Sequence, residues 1–176
     1  ENLTREKLET LHRFSLIYTR ESLTYNFFQS LGLKNLCLLP DPAFILESQP
    51  FALPACFQDH EVVGLNLSNF VMGGMSLESD FAQEVLLLIH YILQKTDYDI
   101  LLIPHVTWNR DGVNQDDREL AQLVSRHLGP LPRLHILDID NLNYCQIRYA
   151  ISHCKMFIGA RTHAVISAYS ECVPAL

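Results

Sequence analysis

From residue 62 onward, short apolar runs alternate with amphipathic stretches, and few folds tolerate that rhythm. Val62–Leu67 (VVGLNL) reads as a strand. Ser76–Lys95 reads as a long helix, with Leu77, Phe81, Val85, Leu88, Ile89 and Ile92 at helical spacing. Ser76 stands where an N-cap belongs, and Glu78 and Asp80 suit the positive end of the helix dipole. Asp99–Ile103 (DILLI) is an unbroken apolar strand, as a sheet covered on both faces requires. Asp116 and Glu119 have the spacing of a capping box before a helix to Leu128, and Gly129 stops it. Leu134–Leu137 is another strand, Asn143–His153 a helix, Lys155–Gly159 a strand and Thr162–Glu171 a helix. Val173–Leu176 begins one more strand. This order implies a parallel sheet with helices on both faces.

The first residues carry a shorter form of the same pattern. Phe14–Thr19 reads as a strand. Glu21–Leu31 reads as a helix stopped by Gly32, with Leu23, Phe27, Phe28 and Leu31 on one side. Asn35–Leu39 is a second strand, ended by Pro40-Asp41-Pro42, which completes a βαβ unit. Leu46–Glu61 breaks the rhythm, with two prolines and no periodicity. The expected fold class is therefore α/β with Rossmann-like parallel sheets. Residues 1–46 form the end of a first Rossmann-like domain, 47–61 a linker, and 62–176 a second such domain truncated at its C-terminus. On this reading the chain is a fragment of a longer protein.

Composition narrows the partners. The 176 residues are 48% hydrophobic and 19% charged, as in ordinary soluble folded proteins. The longest apolar run, Val85–Leu93, is broken by His90 and Tyr91 and is too short to cross a bilayer. No signal peptide is visible. Thirteen Lys and Arg stand against 20 Asp and Glu, a net charge of −7, with no basic run. A nucleic-acid partner would need a positive face, so that class is set aside. An acidic protein that binds an anion must use a few placed cations and backbone N–H groups. Five cysteines without a C-x-x-C pair indicate neither a disulfide framework nor a zinc cluster, which suits a reducing, cytoplasmic setting. The histidines have no metal-ligand spacing, so no metal is expected.

Open parallel sheets bind ligands beyond the carboxyl ends of their strands. Gly159-Ala160-Arg161-Thr162-His163-Ala164 is the richest such place. Small residues let the backbone turn, Thr162 can cap the next helix, and the first-turn N–H groups favour an anion. Arg161 adds a two-pronged donor for carboxylate or phosphate, and His163 a group that exchanges protons near neutral pH. The competing reading pairs Arg161 with an internal Asp and gives His163 to the helix start. Three further places are His105 after DILLI, Asn66 with Ser68 after VVGLNL, and Arg20 with Asp41 after the first two strands. Each has a bland alternative: a packed loop histidine, a turn that uses Asn and Ser for geometry, and a helix start.

Four segments occur in an order that resembles the polysaccharide pyruvyl transferase family: Thr19-Arg20-Glu21-Ser22-Leu23-Thr24-Tyr25, Pro40-Asp41-Pro42-Ala43-Phe44, Leu102-Ile103-Pro104-His105-Val106, and Phe157-Ile158-Gly159-Ala160-Arg161-Thr162-His163-Ala164. The tail Ala168–Pro174 fits as well. The likeness runs from about residue 14 to the end. It implies a GT-B-like pair of Rossmann-like domains, the second of them donor-binding. It also implies transfer of the enolpyruvyl carbons of phosphoenolpyruvate onto sugar hydroxyls, giving a pyruvate ketal, with no cofactor. Arg161 and His163 match the family's donor-binding and catalytic positions, and His105 and Arg20 match recurrent ones. The acceptor implied is a sugar or a lipid-linked saccharide, which leaves room for peripheral membrane association. Two alternatives stay open: a nucleotide-sugar glycosyltransferase or epimerase of the same architecture, and a non-catalytic truncated binding domain.

Overall fold

A computed structural model describes residues 4–74, 76–110 and 113–176. The chain divides into two compact units, Glu1–Phe44 and Ile45–Leu176.

The first unit opens with helix α1 (Arg5–His12), capped by the Thr4 side chain. Strand β1 (Ile17–Thr19), helix α2 (Ser22–Ser30) and strand β2 (Leu36–Leu38) follow, and the two strands pair in parallel. The expected strand at Phe14–Thr19 is shorter than its apolar run. Phe14 and Leu16 are exposed and make no ladder pairs. Glu21 stands just outside α2 as its N-cap, with its carboxylate accepting from Leu23 N and Thr24 N at 3.0 Å each. That is the use a carboxylate finds at the positive end of a helix.

The second unit contains a short helix α3 (Cys56–Asp59) inside the stretch read as a linker. Then come β3 (Val62–Asn66), the one-turn helix α4 (Asn69–Met72), α5 (Asp80–Lys95) and β4 (Asp99–Leu102). A small antiparallel pair, β5 (Asn109–Arg110) and β6 (Val113–Asn114), precedes α6 (Asp117–Leu128). The chain ends through β7 (Leu134–Ile136), α7 (Tyr144–Ser152), β8 (Met156–Gly159) and α8 (Thr162–Ser170). The four long-range strands form one parallel sheet in the order β7-β4-β3-β8. Ala175 makes an isolated parallel bridge to Phe157 of β8, within the segment expected to be one more strand.

Alternation along the strands divides the core between two faces. Leu65, Ile100 and Leu102 pack with Ala82, Val85 and Ile89 of α5 and with Leu120 and Val124 of α6. Val62, Leu101, Ile103 and Phe157 pack with α7 and α8 on the other side. DILLI is wholly buried because helices cover both faces.

Helix starts differ from expectation in instructive ways. α5 begins at Asp80 and is capped by Ser79, whose hydroxyl accepts from Ala82 N at 3.1 Å. Ser76 instead holds the turn before it, accepting from Glu78 N. Asp116 does cap α6, accepting from Arg118 N at 2.9 Å. Glu119 does not close the box. Its carboxylate accepts from Asn114 Nδ2 at 2.6 Å, while Asp116 N donates to Asn114 Oδ1. A full capping box forms at α7, between Asn143 and Gln146. Thr162 is the first residue of α8, whose N-cap is Arg161 with no side-chain cap.

Candidate functional site

β3, β4 and β8 run parallel, so the loops after them open at one end of the sheet. The order β7-β4-β3-β8 reverses direction at β3, with β4 to one side and β8 to the other. Such a reversal leaves a crevice at the strands' carboxyl ends. Three of the loops named from the sequence meet there.

Asn66, the last residue of β3 and fully buried, joins them. Its Oδ1 accepts from Arg161 N at 3.0 Å, and its Nδ2 donates to Ile103 O at 3.0 Å. Its backbone oxygen accepts from Ala160 N. The Asn66 side chain thus ties the β4 and β8 loops to β3, and its polar groups are spent on protein.

Asp117 does the same from the first position of α6. The residue is 1% exposed. Oδ1 accepts from Arg161 Nη2 at 2.7 Å, and Oδ2 from the backbone N–H groups of His105 at 3.1 Å and Val106 at 3.0 Å. Arg161 also donates from Nη1 to Gln115 Oε1 at 3.1 Å and from Nη2 to Gln115 O at 3.3 Å. The fork therefore faces an internal carboxylate, as the competing reading held. A buried pair of this kind costs about 3–5 kcal/mol to break from one side, because the other charge is left stranded.

The internal pairing leaves two atoms over. Arg161 Nε and His105 Nε2 are buried without a hydrogen-bond partner. His105 lies edge-on to Tyr144, ring centres 5.8 Å apart. Burial pushes its imidazole below the ordinary histidine value; His163 and Arg161 add to that, and Asp117 opposes it. His163 sits on the exposed first turn of α8, close enough to His105 for their charges to interact. α8 runs nine residues and starts without a side-chain cap. Its positive end is available to an anion.

Ser68 and Asn66 border a cavity of about 640 Å³ beside this cluster. The end of β3, the segment 158–160 and the α5 side chains Phe81, Val85 and Leu88 form the rest of its wall, with Glu84 as the charged residue. Arg161, His163 and His105 are not part of that wall. Gly159 is small for a packing reason rather than a turning one. A Cβ there would lie 2.6 Å from Val165 Cγ2 and 2.7 Å from Phe157 Cε1.

Arg20 belongs to the first unit, is exposed, and pairs with Asp41 at 2.6 Å. Among the described residues no group of His, Cys, Asp and Glu is arranged to hold a metal.

Sequence reading missed Asp117 and Gln115. The capping-box spacing of Asp116 and Glu119 accounts for the helix start and says nothing of Asp117 between them. Its signal was an acidic residue at the first position of the helix that closes the long connection after β4. The segments that carry Asn66, His105, Asp117, Arg161 and His163 all lie within one family match. The family model described as polysaccharide pyruvyl transferase aligns with residues 1–176. Because that match spans the whole chain and every loop that builds the cluster, the chain belongs to the polysaccharide pyruvyl transferase family.

Proposed function

We propose that the chain transfers the enolpyruvyl group of phosphoenolpyruvate to a sugar and closes it as a pyruvate ketal. Membership of a transferase family carries pyruvyl transfer in polysaccharide biosynthesis; donor and product are the finer reading. The observation that supports it is the exposed His163 imidazole on a helix start without a side-chain cap, next in the chain to the Arg161–Thr162 turn and near the half-buried His105.

The chemistry needs a proton donor and anion-holding groups. His163 delivers a proton to the methylene carbon of the donor, and positive charge develops at the carbon bearing phosphate and carboxylate. A sugar hydroxyl attacks that carbon. Phosphate leaves, and a second hydroxyl of the same sugar closes the ring. Of the two hydroxyl protons, one ends on the new methyl group and the other on phosphate, so the reaction balances without redox change. The first turn of α8, the Nε edge of Arg161 and the His105 imidazole hold the carboxylate and phosphate and steady the departing charge. Thr162 stands at the head of that turn. Asn66 and Ser68 shape the loop beneath it.

The acceptor is a saccharide, free or lipid-linked. A cytoplasmic setting belongs to the same reading, in line with five cysteines that show no disulfide framework. Among the described residues no helix is long and apolar enough to cross one. Thermal melts with phosphoenolpyruvate or nucleotide-sugars test the donor. Phosphoenolpyruvate at a hundred times its dissociation constant should add about 2.7 kcal/mol of stability. Stabilisation by nucleotide-sugars alone would replace the proposal with a glycosyltransferase.

A further inference from the structure

We infer that Asp117 is a positioning residue for the donor, acting through Arg161 and the His105 loop; this rests on the reading of the site given above.

The two carboxylate oxygens of Asp117 serve different loops. One takes the Arg161 guanidinium, which follows β8, and the other takes the consecutive amides of His105 and Val106, which follow β4. Four donors surround the group when Asn66 Nδ2 at 3.4 Å is included. A carboxylate so occupied has little capacity left for substrate. Its effect must pass through what it holds. What it holds is unfinished: Arg161 Nε and His105 Nε2 are both buried and unpaired. A salt bridge built only for stability would not leave an orphan on each of the two segments it joins, since each orphan is costly. A ligand that completes both would recover that cost. Gln115 holds the opposite prong of Arg161, at 3.1 Å from Nη1, and so fixes the rotation of the guanidinium plane.

Charge makes the inference sharp. If Asp117 merely neutralised Arg161, removing its charge would expose a cation and tighten anion binding. If it positions Arg161 and His105, removal loosens them and weakens binding. The test is Asp117→Asn in the full chain, with phosphoenolpyruvate and inorganic phosphate titrated by calorimetry and turnover followed by phosphate release. Positioning gives a donor KM raised about 10- to 100-fold, the worth of one hydrogen bond to a charged group. The value of kcat should fall by less than KM rises, since the lost contacts hold the donor in the ground state as well as steadying the departing charge. Tighter binding of either anion, or an unchanged KM, overturns it.

Should Asp117→Asn fail to fold, Gln115→Ala carries the same question, because Gln115 is half-buried at the loop edge. It should raise the donor KM at unchanged melting temperature, and an unchanged KM counts against positioning. A wild-type chain that releases no phosphate from phosphoenolpyruvate would fail the reaction and not this inference. Weaker binding of inorganic phosphate by Asp117→Asn would then still support it.

Discussion

His105 follows β4 and His163 follows β8, within range of each other's charge, and their surroundings assign them different work. His105 is packed against Tyr144 and held below its ordinary pKa mainly by burial. His163 stands exposed on the first turn of α8. An unfolded histidine titrates at about 6.5. His105 takes up its proton less readily when folded, so acid favours the unfolded chain. The stability it contributes is complete above its unfolded pKa and is lost as pH falls through that value toward the folded one. His105→Gln should flatten the fall of melting temperature between pH 7 and pH 5 relative to wild type. Superimposable pH profiles would show that His105 is not held neutral by the fold. At this scale the sequence was only half legible. It offered Arg161 as either a ligand fork or an internal partner, and the internal partner lay 44 residues away at Asp117. Pairing across such a separation leaves no local pattern to read, whereas an N-cap such as Asp116 does.

Elements were clearer than their ends. The apolar runs of β3, β4 and β8 and the periodicity of α5 follow from the period of a strand or helix packed on one core. Their limits depend on pairing partners and on which hydroxyl reaches the first turn, so Ser79 rather than Ser76 caps α5. Gly159 shows a third limit. It was read as freedom to turn, yet its bareness makes room for Phe157 and Val165. Phe157 is fully buried in the core and has nowhere to go. Gly159→Ala should therefore cost about 1–3 kcal/mol by overpacking. A urea titration would read this as a lower midpoint at unchanged slope. No shift in midpoint would mean the β8–α8 junction yields more easily than its contacts indicate.

At the scale of the whole molecule, the alternation of strand and helix determined both the parallel sheet and where its loops would gather. Order along the sheet was not legible, because it depends on which strands pair after the chain doubles back past β3. That doubling back brings the loops after β3, β4 and β8 together through Asn66 and Asp117. The chain carries a net charge of −7, so attraction of any anionic ligand must be local. The central claim is that His163 protonates the donor's methylene carbon. Its most direct test is turnover of phosphoenolpyruvate with a saccharide acceptor in heavy water, with the product's methyl group read by NMR. The account expects a ketal whose methyl carries one solvent deuterium, formed with one phosphate released, and no such product from His163→Ala. A methyl group without deuterium, or near-normal ketal formation by His163→Ala, would contradict it.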